Sequence, residues 1–431
     1  MTSVSIPLNP LKEKSYMAQI ITIGGFFFIF GFLTWVNGTL IPYLKIACEL
    51  EEWQAYLVVF AFYISYTVMA LPSGKLLERT GMVRGMRIGL LIMASGCLLF
   101  VPAALTRMFP LFLSGLFVVG AGLTLLQTAV NPYITLLGSP ERAAQRISIM
   151  GICNKFAGVI APIILGTILL NKSDLLVTEL KALTGLAKQE RLDELAQGVI
   201  LPYVILTLIL VLIAWLLKHA NLPLLPVENS AKKDIEQPLT SQQLKSFSLG
   251  FLAIFCSVGV EVIAGDTIGN YGLYHNFSLD IAKSLTSYTL AAMMTGYIIG
   301  VIVIPRYVSQ ERAFLISNVL AIILTLVVLF TPGIISIGAV ALLGFANALL
   351  WPVIWPKALK TLKGKQLNKA SAVLIMGIAG GAVLPLLYGW ISHAYNNQVA
   401  YLIVIPCYLF NILYSFITQQ KIQSGNLTIK I

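Results

Sequence analysis

The sequence predicts an all-α polytopic membrane protein with twelve transmembrane helices in two pseudo-symmetric six-helix bundles. Three observations support this fold class: the apolar composition, the apolar segments of spanning length, and basic loops on one side of those segments. Of the 431 residues, 58% are hydrophobic and only 11% are charged, whereas soluble domains carry about 25% charged residues. The excess apolar surface must therefore face lipid.

Helices are favoured over a β-barrel because no alternating strand pattern recurs, and backbone groups in lipid must be paired internally. A spanning helix needs about 20 mainly apolar residues. The predicted spans are 17–43, 54–73, 85–105, 109–137, 146–170, 198–219, 244–272, 280–305, 312–331, 333–360, 368–394 and 397–419.

The basic residues predict the orientation. Most of the 29 Lys and Arg residues lie on the side of the N-terminus, in loops that follow even-numbered spans. Loops rich in Lys and Arg are cytoplasmic, so both chain ends are predicted to be cytoplasmic. The net charge of +11 is thus accounted for by the basic loops between the spans of a membrane protein, and no nucleic-acid partner is expected.

Two longer connections divide the chain. The predicted domains are an N-terminal bundle at 1–219, a cytoplasmic linker at 220–243 and a C-terminal bundle at 244–431, because the linker is polar and lacks an apolar period. On the opposite side, 171–197 has leucines three and four apart among balanced charges, which predicts one amphipathic helix. This helix either caps the pathway or lies on the surface in solvent.

Three charged side chains fall in the interior of predicted spans, away from the span ends: Lys155 in GICNK, and Glu261 and Asp266 in FLAIFCSVGVEVIAGDTIGNYG. A charge at bilayer depth costs several kcal/mol, about 2.5–3.5 by the lower estimates, so such a residue is paired or lines a polar pathway. Glu261 and Asp266 are five residues apart, so a regular helix does not place them on one face. Lys155 is their nearest counter-charge.

The loop after span two, SGKLLERTGMVRG, resembles the major facilitator motif G-x-x-x-D-R-x-G-R-R, with Glu in place of Asp. The glycines permit a tight turn, and the acid–base pair could latch the loop to a neighbouring helix in one conformation. An ordinary positive-inside loop is the alternative. The residues of this predicted gating loop are Gly74, Glu78, Arg79, Gly81 and Arg84.

Five longer strings narrow the resemblance to the fucose–galactose–glucose:proton symporter family, and within it to the bacterial glucose/galactose transporters. The strings are GGFFFIFGFLTWVNGTLIPYL, GLTLLQTAVNPYITLLG, AAQRISIMGICNKFAGVIAP, GFANALLWPVIWPKALKTLKGK and SAVLIMGIAGGAVLPLLYGWISH. The resemblance runs from about residue 17 to about residue 420. It implies a hexose importer with alternating access, located in the bacterial inner membrane.

The chain departs from the fucose branch of that family at two ionisable positions. Where that branch carries an Asp in span one and a Glu in span four, this chain has Gly38 and Gln127. Neither can be ionised, so coupling of the fucose type is not carried over. The remaining candidates for coupling to Na⁺ or H⁺ are Glu261, Asp266 and Lys155, and no other cofactor is expected.

The sequence leaves three interpretations of this trio open. A carboxylate helps to bind the coupling cation, or one of them forms a static pair with Lys155, or Asp266 lies at a water-exposed outer end. Unwinding of span seven at Gly265 would bring Asp266 into the cavity beside free carbonyls, an arrangement typical of Na⁺ sites. A sodium ion at Glu261 and Asp266 is therefore one hypothesis.

Sugar sites combine hydrogen-bonding side chains with aromatic rings that cover the apolar faces of the sugar. The candidate substrate-binding residues are the amides Asn37, Gln127, Asn131, Asn154, Asn270 and Asn347 and the aromatic residues Trp35, Tyr271, Trp351 and Trp355. Helix packing and interhelical hydrogen bonds are the alternative roles for these side chains.

Other function classes are disfavoured. We expect no enzymatic activity, because no nucleophile–base pairing or metal-ligand spacing stands out. A membrane receptor would need a sizeable soluble domain, and the chain has none. The closest competing function is a uniporter, or a symporter of another sugar or polyol such as fucose. The expected partners are a small-molecule sugar and lipid, and the expected state is a monomer.

Overall fold

The computed structural model describes residues 10–136, 143–170, 173–219, 240–304, 307–359, 362 and 364–427. Helices joined by short turns make up these ranges, and no β-strand occurs in them. The predicted linker at 220–243 lies outside the described residues up to 239, and the next helix begins at Ser241 with Thr240 as its N-cap.

Some stretches of the described chain form one long helix, and others form two shorter helices in succession. The first half contains Pro10–Trp35, Asn37–Ala47, Glu52–Ala55, Leu57–Thr80, Met82–Leu98, Phe100–Thr106, Phe109–Leu136, Ala143–Leu169, Ser173–Ala182, Gly185–Gln197 and Ile200–His219. The second half contains Ser241–Asp266, Ile268–Tyr274, Leu279–Ala282, Leu285–Val303, Gln310–Phe330, Gly333–Asn347, Leu350–Leu359, Gly364–Met376, Gly380–Ala394 and Val404–Leu427, with 3₁₀ turns at Gly377–Ala379 and Val399–Ile403.

Twelve helical stretches of the described residues are long and apolar enough to cross a membrane, which confirms the predicted class and number. We number them span 1 to span 12. They are Gln19–Ala47, Glu52–Thr80, Met82–Thr106, Phe109–Asn131, Ile149–Leu169, Gly185–Lys218, Gln243–Asp266, Leu279–Val303, Gln310–Phe330, Gly333–Leu359, Ala370–Ala394 and Val399–Ile417.

Three pairs of spans form the seam between the two halves. Span 1 packs on span 7, span 2 on span 11, and span 5 on span 8. We call the face at which span 1 begins, next to the turn at Gly81, the terminal face. The opposite face, next to residues 48–51, is the distal face.

Glycines bring the helix backbones close together inside each half. A Cβ added at Gly31 would lie 1.9 Å from the carbonyl oxygen of Asn154, and one at Gly380 would lie 1.8 Å from that of Phe255. Such contacts matter in lipid, where association of helices relies on van der Waals packing rather than on a hydrophobic driving force.

The predicted gating loop is shorter than expected. The helix Leu57–Thr80 continues past the predicted end of span 2, so Gly74 lies within a helix and not in the loop. The turn is made by Gly81, whose φ of +75° suits glycine. Among the described residues, Glu78, Arg79 and Arg84 form no ion pair within 4.0 Å, so no latch is present in this conformation.

The connection at 171–197 forms two helices rather than the single predicted one, with a break before Gly185, where φ is +59°. The leucine face is buried, since Leu192 is 1% and Leu176 7% exposed. Lys188 is 2.6 Å from Glu49, and this hydrogen bond lowers the pKa of Glu49. The pair of helices therefore packs as a cap on the distal face, and only its outer side is solvated. The second of them, Gly185–Gln197, is the distal part of span 6 and leads into the apolar helix Ile200–His219.

Replacing Gly380 by Ala should destabilise the protein by about 1–3 kcal/mol, because the new methyl group overpacks the contact between spans 7 and 11. Gly338 is the matched control, since it is also helical and a Cβ there meets nothing within 4 Å. Thermal unfolding of the purified variants in detergent compares them. Equal melting temperatures for G380A and G338A would contradict the close packing described above.

Candidate functional site

A buried ion pair crosses the seam in the middle of the bundle. The Nζ of Lys155 in span 5 lies 2.5 Å from Oε1 of Glu261 in span 7, with the side chains 7% and 17% exposed. Lys155 also lies 4.5 Å from the ring centroid of Trp35, a cation–π contact. Of the two acids that the sequence offers as partners for Lys155, the structure selects Glu261.

The surroundings of this pair are aromatic. Tyr63, Tyr297 and Tyr408 lie within electrostatic reach of Glu261. Tyr63 and Tyr408 are buried, and Tyr297 is half-buried. These rings keep much of the water away from the pair, which strengthens the attraction between Lys155 and Glu261 relative to water. The pair as a whole is neutral and joins one helix from each half.

Asp266 is more completely buried than Glu261, and it forms no ion pair with any of the described residues. It is the last residue of the helix Ser241–Asp266 and is 0% exposed. Within the described part of the chain, neither carboxyl oxygen has a hydrogen-bond partner of good geometry, and the backbone of Gly38 lies nearby. The interpretation in which Asp266 lies at a water-exposed outer end is therefore wrong.

The predicted unwinding of span 7 at Gly265 is also wrong, because the helix is continuous through this residue and is interrupted only at Thr267. The carbonyl of Gly265 accepts a hydrogen bond from the hydroxyl of Thr286 at 2.8 Å. Thr289 donates to the next carbonyl, that of Ala264, at 3.3 Å. The carbonyls of Gly265 and Ala264 thus each accept a hydrogen bond from span 8.

Gly265 has a different role. A Cβ at this position would lie 2.4 Å from the indole ring of Trp35, so the glycine admits the ring that contacts Lys155. Gly38 acts in the same way on span 1, since a Cβ there would lie 2.4 Å from the hydroxyl of Thr286. These glycines let spans 1, 7 and 8 meet at one level.

Spans 1 and 7 are interrupted at positions that correspond in the two halves, at Val36 and Thr267. The segments that follow, Asn37–Ala47 and Ile268–Tyr274, pack against each other. Several buried polar atoms on or beside these segments have no hydrogen-bond partner among the residues that the structure describes: Trp35 Nε1, Asn37 Nδ2 and Oδ1, Thr39 Oγ1, Asp266 Oδ1 and Oδ2, and Asn270 Oδ1. Each such atom costs about 1–3 kcal/mol if it stays unpaired, which marks this region as a polar binding region.

The six candidate amides differ in their surroundings. Asn37 and Asn270 belong to the region just described, and Asn270 reaches the hydroxyl of Tyr56 only at 3.5 Å. Asn131 is half-buried within span 4. The remaining amides are engaged by the protein, Gln127 by the Tyr66 hydroxyl (3.1 Å), Asn154 by the Phe27 carbonyl (3.4 Å) and Asn347 by the Val260 carbonyl (3.3 Å) and the Tyr408 hydroxyl (2.9 Å).

The candidate aromatic residues do not converge. Trp35 lies at the seam, whereas Tyr271 bonds to Ser336 at 2.5 Å inside the second half. Trp351 and Trp355 stack on each other with centroids 5.0 Å apart and stay half-buried toward the terminal face. Of the four aromatic candidates, Trp35 is therefore the one that lies beside the charged residues.

The neighbourhood of Tyr271 contains a histidine at the distal end of span 7. His275 packs edge-on against the ring of Tyr271 at 4.6 Å, and its Nδ1 accepts a hydrogen bond from the backbone N–H of Gly333. Burial lowers the pKa of His275, so this side chain stays neutral at pH 7 and adds no charge to the region.

Sequence reasoning missed the tyrosines that close the distal side of the seam. Tyr56, Tyr388 and Tyr401 are 0% exposed, and their rings contact one another edge-on at 5.1–5.5 Å. Tyr63 lies nearer the middle, where it would meet a Cβ at Gly381 at 3.0 Å. For Tyr56 and Tyr63 the sequence signal was the aromatic spacing on span 2, which lipid-facing helices share.

Comparison with known proteins places this geometry in a family. The model of the Major Facilitator Superfamily matches residues 23–356. The chain belongs to the Major Facilitator Superfamily. A crystal structure of the superfamily transporter FucP in the outward conformation superposes with a TM-score of 0.70 and 25% identity, covering 94% of this chain and 99% of FucP.

Curated relatives within the superfamily confirm the branch that the sequence motifs indicate. The glucose/galactose transporter of Brucella abortus is 32% identical over 424 residues, which cover 96% of this chain and 99% of the relative. The L-fucose-proton symporter of Escherichia coli is 26% identical over 417 residues, with 94% and 93% covered.

Replacing Lys155 by Met should destabilise the protein by about 3–5 kcal/mol, because it leaves the buried Glu261 carboxylate unpaired. The double variant K155M/E261Q removes both charges and should recover most of that loss. Thermal unfolding in detergent of the wild type, both single variants and the double variant measures the coupling. Additive effects of the two substitutions would show that the residues do not interact.

Proposed function

We propose that this protein imports a hexose, glucose or galactose, by cation-coupled symport with alternating access. The observation that carries the proposal is the charged and polar region at the seam, where Lys155, Glu261 and Asp266 lie on helices of opposite halves. Ionisable groups are retained at this depth where they serve a transport pathway. The sugar is inferred from the glucose/galactose transporter relatives.

Alternating access follows from the position of the ion pair. Binding sites of such transporters lie near the midplane between two bundles that rock against each other. The Lys155–Glu261 pair spans that boundary, so rocking must shift the pair or break it. Energy of cation binding can therefore be transmitted to the seam through this contact.

The sugar contacts are proposed for side chains near the same boundary. Among the described residues, neither polar atom of the Asn37 amide has a partner, and the Oδ1 of Asn270 has none either. An amide provides both donors and acceptors for sugar hydroxyls. Trp35 and Tyr63 supply aromatic faces beside them. Gln127, which donates to Tyr66, lies on the same route toward the terminal face.

The expected setting is the bacterial inner membrane, with a monomer as the working unit. We propose that the terminal face is cytoplasmic, because the loops on that side carry most of the basic residues. The predicted gating loop at Gly81 then lies inside the cell, and the cap of Ser173–Ala182 and Gly185–Gln197 lies outside.

Fucose uptake is the second candidate, favoured by the similarity to the L-fucose-proton symporter. Against it stand Gly38 and Gln127, which leave spans 1 and 4 without the ionisable side chains of the fucose branch. A uniporter would need no coupling cation at all, and a gradient experiment distinguishes it from a symporter.

Reconstitution in liposomes tests the proposal. Labelled glucose or galactose should accumulate above its equilibrium level when a Na⁺ or a pH gradient is imposed, and only equilibrate when neither is present. Fucose is measured in the same way as the competing substrate. Equal uptake without accumulation under all three conditions would mean that the protein is a uniporter.

A further inference from the structure

We propose that Asp266 carries the coupling ion as a proton, and that neutralising Asp266 is the condition for sealing the distal side of the seam. This inference rests on the proposed function, because it names the cation and the residue of the same symport site. It also assigns different roles to the two acids Glu261 and Asp266, both of which the sequence offers as candidates for cation coupling.

The first step of the argument is burial. Asp266 is 0% exposed, and its two carboxyl oxygens have no hydrogen-bond partner in the described ranges, whereas Glu261 retains 17% exposure and pairs with Lys155. Placing an ionised carboxylate in such surroundings without a partner is very unfavourable, and such a group binds a proton instead. The conformation described here therefore requires the neutral carboxyl form of Asp266.

The second step concerns the charges that face Asp266. They are Lys155 from span 5 and Glu261 from its own helix, together with the hydroxyls of Tyr56 and Tyr63 from span 2. Lys155 is already paired with Glu261 at 2.5 Å, so the two charges largely cancel at Asp266. Trp35, Gly38 and Thr286 bring no further charge from spans 1 and 8.

The third step excludes sodium as the better occupant. A Na⁺ site at an interrupted helix draws on free backbone carbonyls, but Thr286 and Thr289 already donate to those of Gly265 and Ala264. A proton needs only one lone pair of the Asp266 carboxyl. The polar atoms of span 1 and span 7 that remain are amide and hydroxyl groups suited to a sugar.

The last step concerns the face of the protein from which the proton reaches Asp266. Toward the distal face, Asp266 is covered by the tyrosine seal of Tyr56, Tyr388 and Tyr401, all 0% exposed. Opening of that seal admits distal water, and a proton from that water forms an O–H bond with the Asp266 carboxylate. The seal then closes over the neutral group. That bond breaks later toward the terminal face, where Glu261 is partly exposed and water accepts the proton.

The test compares Asp→Asn and Glu→Gln variants in liposomes containing an internal pH-sensitive dye. Wild-type protein should take up protons together with glucose or galactose and accumulate the sugar under an inward proton gradient. D266N should lose both signals, with accumulation falling at least tenfold to the equilibrium level, while sugar counterflow persists at a reduced rate. E261Q, which unpairs Lys155, should impair counterflow as well.

Asp280 supplies a matched control, since it is an acid of the second half that is 40% exposed and paired with Lys283 at the distal face. D280N should keep proton-coupled accumulation. If D266N does not insert or fold, infrared spectroscopy of the wild type replaces it: a protonated carboxyl band should be present at neutral pH and shift when the sugar is added.

Two results would overturn the inference. Proton uptake per sugar in D266N equal to that of the wild type removes Asp266 from coupling. Sugar accumulation in the wild type under a Na⁺ gradient alone, without a proton signal, assigns coupling to sodium. Absence of any hexose uptake by the wild type would instead contradict the proposed function itself, so the two failures are distinguishable.

Discussion

The ion pair between Lys155 and Glu261 is the contact around which the rest of the seam is organised. Each half of the protein contributes one charge, and neither charge is stable in this apolar setting without the other. Trp35 lies against Lys155, and Gly265 leaves room for the indole ring. Span 1, span 5 and span 7 are thus held at fixed positions relative to one another by a single buried pair and the ring beside it.

Close backbone packing explains why Asp266, which lies near the Lys155–Glu261 pair, is buried. Gly38 and Gly265 allow spans 1, 7 and 8 to approach, and Thr286 then reaches a carbonyl that an interrupted helix would otherwise expose. The same packing excludes water and counter-charges from Asp266. Two acids five residues apart on one helix are therefore in opposite surroundings. Glu261 is paired and partly exposed to solvent, whereas Asp266 is unpaired within the described residues and fully buried.

Much of the architecture could be predicted from the sequence because lipid imposes a local rule. A helix must be apolar over about 20 residues wherever it crosses the bilayer, and this pattern is visible without any knowledge of contacts. Elements outside the bilayer follow no such rule. The distal cap is interrupted before Gly185, and the helix of span 2 extends past its predicted end and includes Gly74. The positions of these ends depend on packing and turn geometry.

Hydropathy and motifs are properties of short segments, so the sequence suffices to predict the all-helical class, the twelve spans, the superfamily and the charged residues Lys155, Glu261 and Asp266. Folding is needed to show that Lys155 pairs with Glu261. It is also needed to show that, among the described residues, Asp266 is buried without a partner and Asn347 is hydrogen-bonded while Asn37 is not. The reason is distance along the chain. Residues 106 positions apart meet only when whole helices pack, and the rotation of each helix then decides which side chains face the seam.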